Sequence, residues 1–145
     1  MYTIRSFQPD DMFSVIKLAS VALTEHYNPN IFNCFYETFP QGFLIAEQNH
    51  KIIGFITGLK INTESVKILM LSVLEKHRKQ GIGTLLLKQF IKEISKQKIK
   101  KIELEVKINN EIAIKFYKKN GFTITNTLYK FYQNNENGYL MKKNI

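Results

Sequence analysis

Arg78-Lys79-Gln80-Gly81-Ile82-Gly83-Thr84 stands between an apolar stretch of strand character and an amphipathic stretch of helix character, and its residue types suit a bound diphosphate. A helix that starts near Gly81 leaves its first backbone N–H groups without intrahelical partners, and its dipole adds partial positive charge at that end. An anion is the natural occupant. Glycines at 81 and 83 remove side chains that would hold a diphosphate off the backbone, while Arg78 and Lys79 bring charge from the approach side. Two familiar phosphate loops do not fit. A Walker loop requires Lys-Ser or Lys-Thr after its last glycine, and Gly83 is followed by Thr84-Leu85. A dinucleotide fingerprint requires a third small residue where Leu86 stands, and it opens a first βαβ unit instead of lying mid-chain. The plain structural alternative is a glycine turn before a core helix.

Chemistry of this kind needs a scaffold, and 145 residues with 44% hydrophobic content suffice for one domain, residues 1–145, that buries a core without staples. The single cysteine, Cys34, excludes an intramolecular disulfide and fits a reducing compartment. Among Ile31, Phe32 and Phe35 it reads as an apolar filler. No run approaches the roughly 20 apolar residues of a membrane span, and Met1-Tyr2-Thr3-Ile4-Arg5 begins like a strand and lacks a signal-peptide core. A cytoplasmic protein with no membrane partner is expected. The net charge of +9 favours anionic partners, of which a phosphorylated cofactor, RNA and a ribosomal surface are examples; a lysine-rich coding bias explains it equally well.

The elements follow from periodicity. Residues 2–7 alternate as a strand; Pro9-Asp10-Asp11 opens a helix through Ala19, and a short helix covers 31–37. Residues 43–47 and 51–60 read as a hairpin across Gln48-Asn49-His50, and 65–74 as a third consecutive strand. From Gly81 the apolar residues Ile82, Leu85, Leu86, Phe90 and Ile94 recur at helical spacing. Lys101 to Lys107 alternates strictly, with Ile102, Leu104 and Val106 on one face and Glu103 and Glu105 on the other. A helix spans about 110–119 with Ile112, Ala113, Phe116 and Tyr117 as its inward face, ended by Asn120-Gly121 as a left-handed cap. Residues 122–127 and 139–142 complete the pattern βααβββαβαββ. The strands at 65–74 and 101–107, joined through a helix, are expected to be parallel neighbours.

At this point the chain resembles the GNAT superfamily of acetyl-CoA-dependent N-acetyltransferases over essentially its full length. Arg78-Lys79-Gln80-Gly81-Ile82-Gly83 fits the family's pyrophosphate motif, and Asn110, Ala113, Tyr117, Gly121 and Phe122 fit its Asn-x-x-Ala-x-x-x-Tyr-x-x-x-Gly-Phe signature. Leu104 to Glu111 is similar to a segment of RimI-type ribosomal-protein-alanine N-acetyltransferases, with Asn109 in place of a serine. Leu23-Thr24-Glu25-His26-Tyr27 and Lys130 to Tyr139 are similar to segments of archaeal and eukaryotic N-terminal acetyltransferase catalytic subunits. Thr24 departs from their proline, and Phe131 from their first tyrosine.

The resemblance implies an α/β (α+β) GNAT fold: a central mixed, mostly antiparallel sheet, helices on both faces, and splayed parallel strands 4 and 5. It implies acetyl-CoA as co-substrate and direct transfer, in a ternary complex, to the α-amine of a nascent or ribosomal protein. Glu105 is the expected base, acting through a water; Glu25 is a second carboxylate that orients the acceptor or shares the base role. Tyr117 is the expected acid toward the leaving thiolate. Leu71, Ser72 and Val73 are expected to bind the pantetheine through backbone groups. The cradle residues Arg78, Lys79, Gln80, Gly81, Ile82, Gly83 and Thr84 hold the phosphates, and Asn110 meets the pantetheine or caps its helix. Glu25, Tyr27 and Tyr132 are the acceptor-side contacts. His77 contacts phosphate or solvent, and His26 and His50 have no partner at ligand spacing, so no metal is expected. Each assignment has a plainer counterpart: Glu105 as a solvent-face acid paired to lysines, Tyr117 as a core aromatic. Acetylation of a small amine or a lysine side chain is the enzymatic alternative, and an RNA-binding or acetyl-CoA-sensing module the other; nucleic acid is not the expected partner. Monomer and homodimer are both compatible.

Overall fold

The computed structural model describes residues 2–22 and 28–145 of the chain. Its elements run β1 (Thr3–Ser6), α1 (Met12–Ala22), α2 (Asn30–Thr38), β2 (Phe43–Gln48), β3 (Lys51–Lys60), β4 (Ser65–Val73), α3 (Ile82–Ser95), β5 (Lys101–Lys107), α4 (Glu111–Lys119), β6 (Thr123–Leu128) and β7 (Gly138–Asn144). This is the predicted order. The strands form one sheet in the order β1-β2-β3-β4-β5-β7-β6. Only β4 and β5 are parallel, as the helical crossover between them requires.

Each face of the sheet is sealed by a pair of helices. The stripe Ile82, Leu86, Leu87, Phe90 and Ile94 lays α3 against Ile56, Val66, Ile68 and Ile102, and α4 adds Ile114 and Tyr117 to the same cluster. The other face carries α1 and α2 and is rich in phenylalanine: Phe7, Phe32, Phe35, Phe43 and Phe55 surround Val15 and Leu18. Phe7 stacks on Phe43 with ring centroids 4.0 Å apart. Burying each such side chain contributes about 1.5–3 kcal/mol, so these two clusters hold the helices against the sheet.

Two connections show why these residues fold this way. Asn49 and His50, at φ 51° and 63°, form the two-residue turn of the β2–β3 hairpin, where both central positions must be left-handed. Before α1, the Asp11 carboxylate accepts from the Gln8 backbone N–H at 2.8 Å and takes a paired contact from the Arg5 guanidinium at 2.9 and 3.0 Å. Arg5 also donates to Glu47 at 2.6 Å, which ties β1, the start of α1 and β2 together.

Two expectations are corrected. Ile112 is 85% exposed, and the inward face of α4 is Ile114 and Tyr117 with Ala113 and Phe116 packed beside them. The stripe i, i+3, i+4, i+7 from Asn110 passes through 113, 114 and 117 and misses 112. Cys34 is exposed, its sulfur 3.6 Å from the Thr38 hydroxyl, because the buried stripe of α2 runs through Phe32 and Phe35. No helix among the described residues is long and apolar enough to cross a membrane.

Candidate active site

The site is built where β4 and β5 part. Their parallel ladder pairs Ser65, Val66 and Lys67 with Lys101, Ile102 and Glu103 and stops there, although both strands continue. The cause lies in β4. Against β3, Thr57 faces Met70 while Gly58 faces Ile68, so Leu69 is an extra residue, a β-bulge. Bulges bend and twist the strand that holds them, which turns the far half of β4 away from β5. A slot opens between the two strands.

The walls of the slot are backbone. Leu74 N–H donates to the Ile53 carbonyl at 2.8 Å. Counting back along an antiparallel ladder, Ser72 and Met70 also face β3, while Leu71 and Val73 turn their N–H and C=O groups toward β5. On the opposite wall Lys101 N–H reaches across to the Glu64 carbonyl at 3.1 Å, so the same alternation directs the backbone of Glu105 and Lys107 into the slot. Of the three predicted backbone residues, Leu71 and Val73 line the slot and Ser72, 6% exposed, belongs to the β3 ladder. The Val73 carbonyl accepts from Arg78 Nε and the Lys107 carbonyl from the Asn110 N–H, and strand groups without a neighbouring strand require another partner.

The cradle stands at the mouth of this slot. A single 3-10 turn, Glu75–His77, leads from β4 into the loop, and the Arg78 Nε donates to the Val73 carbonyl at 3.0 Å, folding the loop back on the strand end. Lys79 at φ 63° and Gly81 at φ 82° reverse the chain so that α3 starts at Ile82 with Gly81 as its N-cap. A Cβ on Gly81 would meet nothing within 4 Å, so the space over this helix end is open. At Gly83 the Cβ direction instead points at the Phe116 ring, 3.5 Å away. Gly83 thus seats α4 on the first turn of α3. The Tyr2 hydroxyl bonds the Gln80 side-chain oxygen, and Arg78, Lys79 and Gln80 are exposed.

The second motif places Tyr117. Asn110 caps α4 by accepting from the Ala113 N–H at 3.2 Å. At the other end Phe122 N–H donates to the Tyr117 carbonyl at 2.9 Å and Gly121 N–H to Lys118 at 3.1 Å, with Gly121 at φ 91°. This is the Schellman arrangement, and its usual apolar contact is the Phe122 ring, 5.4 Å from the ring of Tyr117. The Phe116 ring adds a second edge contact at 5.2 Å. Gly121 and Phe122 therefore fix where the Tyr117 ring sits. Burial pushes the Tyr117 phenol well above its usual value, so it is protonated throughout the neutral range.

Glu105 lies on the opposite side of the sheet. Ile102, Leu104 and Val106 point toward α3 and α4, which leaves Glu103, Glu105 and Lys107 on the face of α1 and α2. Lys67 Nζ is 2.9 Å from Glu105 Oε2 and 3.8 Å from Glu103 Oε1. Tyr132 closes the same region: its ring lies over Gly138, where a Cβ would come within 2.9 Å of it, and Lys107 Nζ stands 5.3 Å from the ring centroid. The loop that carries Tyr132 is stitched by Asn137 Oδ1 to the Lys130 N–H at 2.9 Å and by Asn109 to Glu136 at 3.4 Å. Glu25 and Tyr27 lie outside the described residues. Acid and base candidates thus lie on opposite faces of the sheet.

A shallow cleft of about 230 Å³ at the joined end of the two strands, between Asn62, Ser65, Lys101 and Lys142, lacks these features. The ladder there is intact and leaves no backbone group to bind with. Among the described residues no cluster of three or more His, Cys, Asp or Glu is placed to hold a metal ion. The bulge at Leu69 was not anticipated, whereas the Lys67 contact is the lysine pairing given as the plainer counterpart for Glu105. The apolar run Ile68-Leu69-Met70-Leu71 gives no sign of which residue is the extra one.

A forked sheet with a glycine cradle at its fork defines a class. Residues 10–122 match the Acetyltransferase (GNAT) family, and the chain belongs to that family. More particularly, it is 32% identical to an N-alpha-acetyltransferase of Sulfurisphaera tokodaii over 97% of this chain and 91% of that protein. The crystal structure of Ard1 from Thermoplasma volcanium superposes with a TM-score of 0.95 at 34% identity, covering 99% of this chain and 97% of that one. Arabidopsis thaliana Naa50, solved with the bisubstrate analogue CoA-Ac-MVNAL, gives a TM-score of 0.89 at 30% identity over 99% of both chains.

Proposed function

We propose that this protein transfers the acetyl group of acetyl-CoA directly to the α-amine at the N-terminus of a protein or peptide, without an acetyl-enzyme intermediate. The observation that carries the reading is the slot: a fork where the β4–β5 ladder ends, the cradle at its mouth, and a phenol and a carboxylate on the two faces of the sheet. The open space over Gly81 fits a diphosphate, with Arg78 and Lys79 as counter-charges. The Leu71 backbone groups and the Val73 N–H suit an amide-bearing chain lying as a strand would, and these N–H groups suit a thioester oxygen. The relatives add the acceptor, since the Naa50 structure holds CoA joined to a peptide.

Glu105 takes the proton from the acceptor amine, directly or through a water, and Tyr117 gives one to the departing thiolate. A protein α-amine, with a pKa near 8, is already about a tenth neutral at pH 7, whereas a lysine near 10.4 costs about 3 kcal/mol more to deprotonate. A carboxylate is base enough for the first and poorly matched to the second. Tyr132 forms the acceptor wall, and Glu25 and Tyr27 keep the acceptor contacts that the resemblance implies. A ribosome-associated acceptor fits the basic charge.

The test is thiol release from acetyl-CoA across N-terminal peptides beginning Met, Ala, Ser and Asp, beside free polyamines and N-terminally blocked peptides carrying only a lysine amine. Turnover is expected with one or more of the free N-termini. Turnover solely with the polyamines and blocked peptides overturns the reading.

A further inference from the structure

We propose that Lys67 is a positioning residue of the transfer reaction, a charged clasp across the fork that holds the Glu105 carboxylate on the acceptor side of the slot. The inference rests on the reading of Glu105 as the base. Lys67 is the last residue of β4 in register with β5, where it faces Glu103. Its ammonium does not stay beside that partner. It leans one step further along β5, to 2.9 Å from Glu105 Oε2 against 3.8 Å from Glu103. The clasp therefore joins the two strands just beyond the point where their backbone ladder ends.

The described cross-strand neighbours of Glu105 on β7 do not do this. The cross-strand neighbour of Glu105 on β7 is Leu140, which carries no charge, and Lys142 on β7 stands opposite Glu103. Lys107, two residues on, lies over the Tyr132 ring. Without Lys67, Glu103 and Glu105 would stand two positions apart on one face as repelling carboxylates. Glu105 would then be free to swing among rotamers at the place where a proton must be taken. Both partners keep 27% of their side-chain exposure, so the pair is partly shielded from solvent yet open to an acceptor. Lys67 contacts Oε2 alone, which leaves Oε1 to meet the amine or its water. The bulge at Leu69 makes the clasp necessary, since a strand turned away from its neighbour cannot align groups across the gap through its backbone.

The experiment is steady-state kinetics on a good N-terminal peptide for Lys67→Met, Lys67→Arg, Glu105→Gln and the Lys67→Met/Glu105→Gln double variant, with melting temperatures beside them. Lys67→Met is expected to lower kcat about tenfold, the scale on which a misplaced catalytic group acts, with KM for acetyl-CoA within about twofold. Lys67→Arg should recover most of the loss, because a guanidinium can reach the same oxygen. In the Glu105→Gln background, Lys67→Met should cost less than about twofold more. If Glu105→Gln slows turnover but Lys67→Met does not, the positioning role is overturned and the base reading stands. If Glu105→Gln turns over like the parent protein, the base reading falls and the clasp with it. Equal losses from Lys67→Met in both backgrounds, or a loss not recovered by arginine, would mark Lys67 as merely structural and overturn the proposal.

Discussion

Residues 75–119, which form the cradle, α3, β5 and α4, hold thirteen Lys and Arg against five Asp and Glu, whereas residues 1–74 hold five against six. The basic charge is thus concentrated on the donor half of the molecule. The half that contains β1 to β4 is nearly neutral, and Arg5 with Asp11 and Glu47 ties its own elements together while Lys67 reaches out to Glu105 on β5. A uniform lysine bias would have spread over both. The division suggests that charge gathers an anionic donor on one side, while the acceptor side relies on a few placed side chains.

The donor half should break most sharply at Gly81. A valine there has open space to occupy but must adopt φ near 82°, and its side chain would stand where the backbone N–H groups meet an anion. Losing two charge-assisted bonds at about 1.5 kcal/mol each amounts to about 100-fold in acetyl-CoA affinity by calorimetry. Gly83→Ala is the matched control: its Cβ makes ordinary contact with the Phe116 ring, so affinity should change far less. Equal losses from both would show that the two glycines share one role.

Next in size is Tyr117→Phe, which keeps the ring packed against Phe116 and Phe122 and removes only the hydroxyl. As an acid toward a thiolate, a good leaving group, Tyr117 should contribute about 10- to 100-fold to kcat with acetyl-CoA affinity nearly retained. Its burial adds a pH signature. The folded phenol ionises at higher pH than an unfolded one near 10, so its contribution to stability is intact below pH 10 and is lost as pH climbs above that value. Alkaline denaturation should therefore be less steep in Tyr117→Phe. Parent-like turnover in the variant would remove the acid assignment.

These two residues were legible in the sequence because their geometry is local. A cradle needs glycines at fixed offsets, and the cap Asn110, the ring Tyr117 and the Gly121-Phe122 stop lie within one helix and its ends. The β2-β3-β4 meander and the parallel β4–β5 pair followed from alternation and from one helical crossover, while the insertion of β7 between β5 and β6 did not. The acceptor half was less legible because its contacts are long-range: Lys67 reaches Glu105 across 38 positions, and the bulge that separates their strands is a property of pairing. Ile112 was misplaced for a smaller reason. The face of α4 was assigned from the apolar residue types, while the cap at Asn110 sets a phase that runs through 113, 114 and 117.

On the scaffold side, Asp11→Asn should cost about 1–3 kcal/mol at pH 7, since it leaves a half-buried guanidinium with a weaker partner. The Arg5 contacts hold the Asp11 carboxyl below its ordinary value, so its stabilisation is present above about pH 4 and disappears as pH falls through the folded value. The stability difference between the parent and Asp11→Asn should therefore shrink on acidification. Turnover per folded molecule should stay unchanged, which separates this network from the proposed base, Glu105.

The smallest effect expected is at Thr57, and it asks whether the acceptor half hides a polar group with a task. Its side chain is fully buried, on the strand position that faces Met70 on β4 and Phe43 on β2, and its hydroxyl has no hydrogen-bond partner among the described residues. A buried hydroxyl without a partner loses its water and gains nothing in return, so the isosteric Thr57→Val should be neutral or stabilising by up to about 1 kcal/mol. For a chain of this size that is a rise in melting temperature of up to about 4 °C. The position is next to the bulge, because the register slips between Thr57 and Gly58. If valine instead lowers kcat while the protein stays as stable, the hydroxyl serves the fork, and the bulge is a shaped part of the acceptor side as well as a bend in the strand.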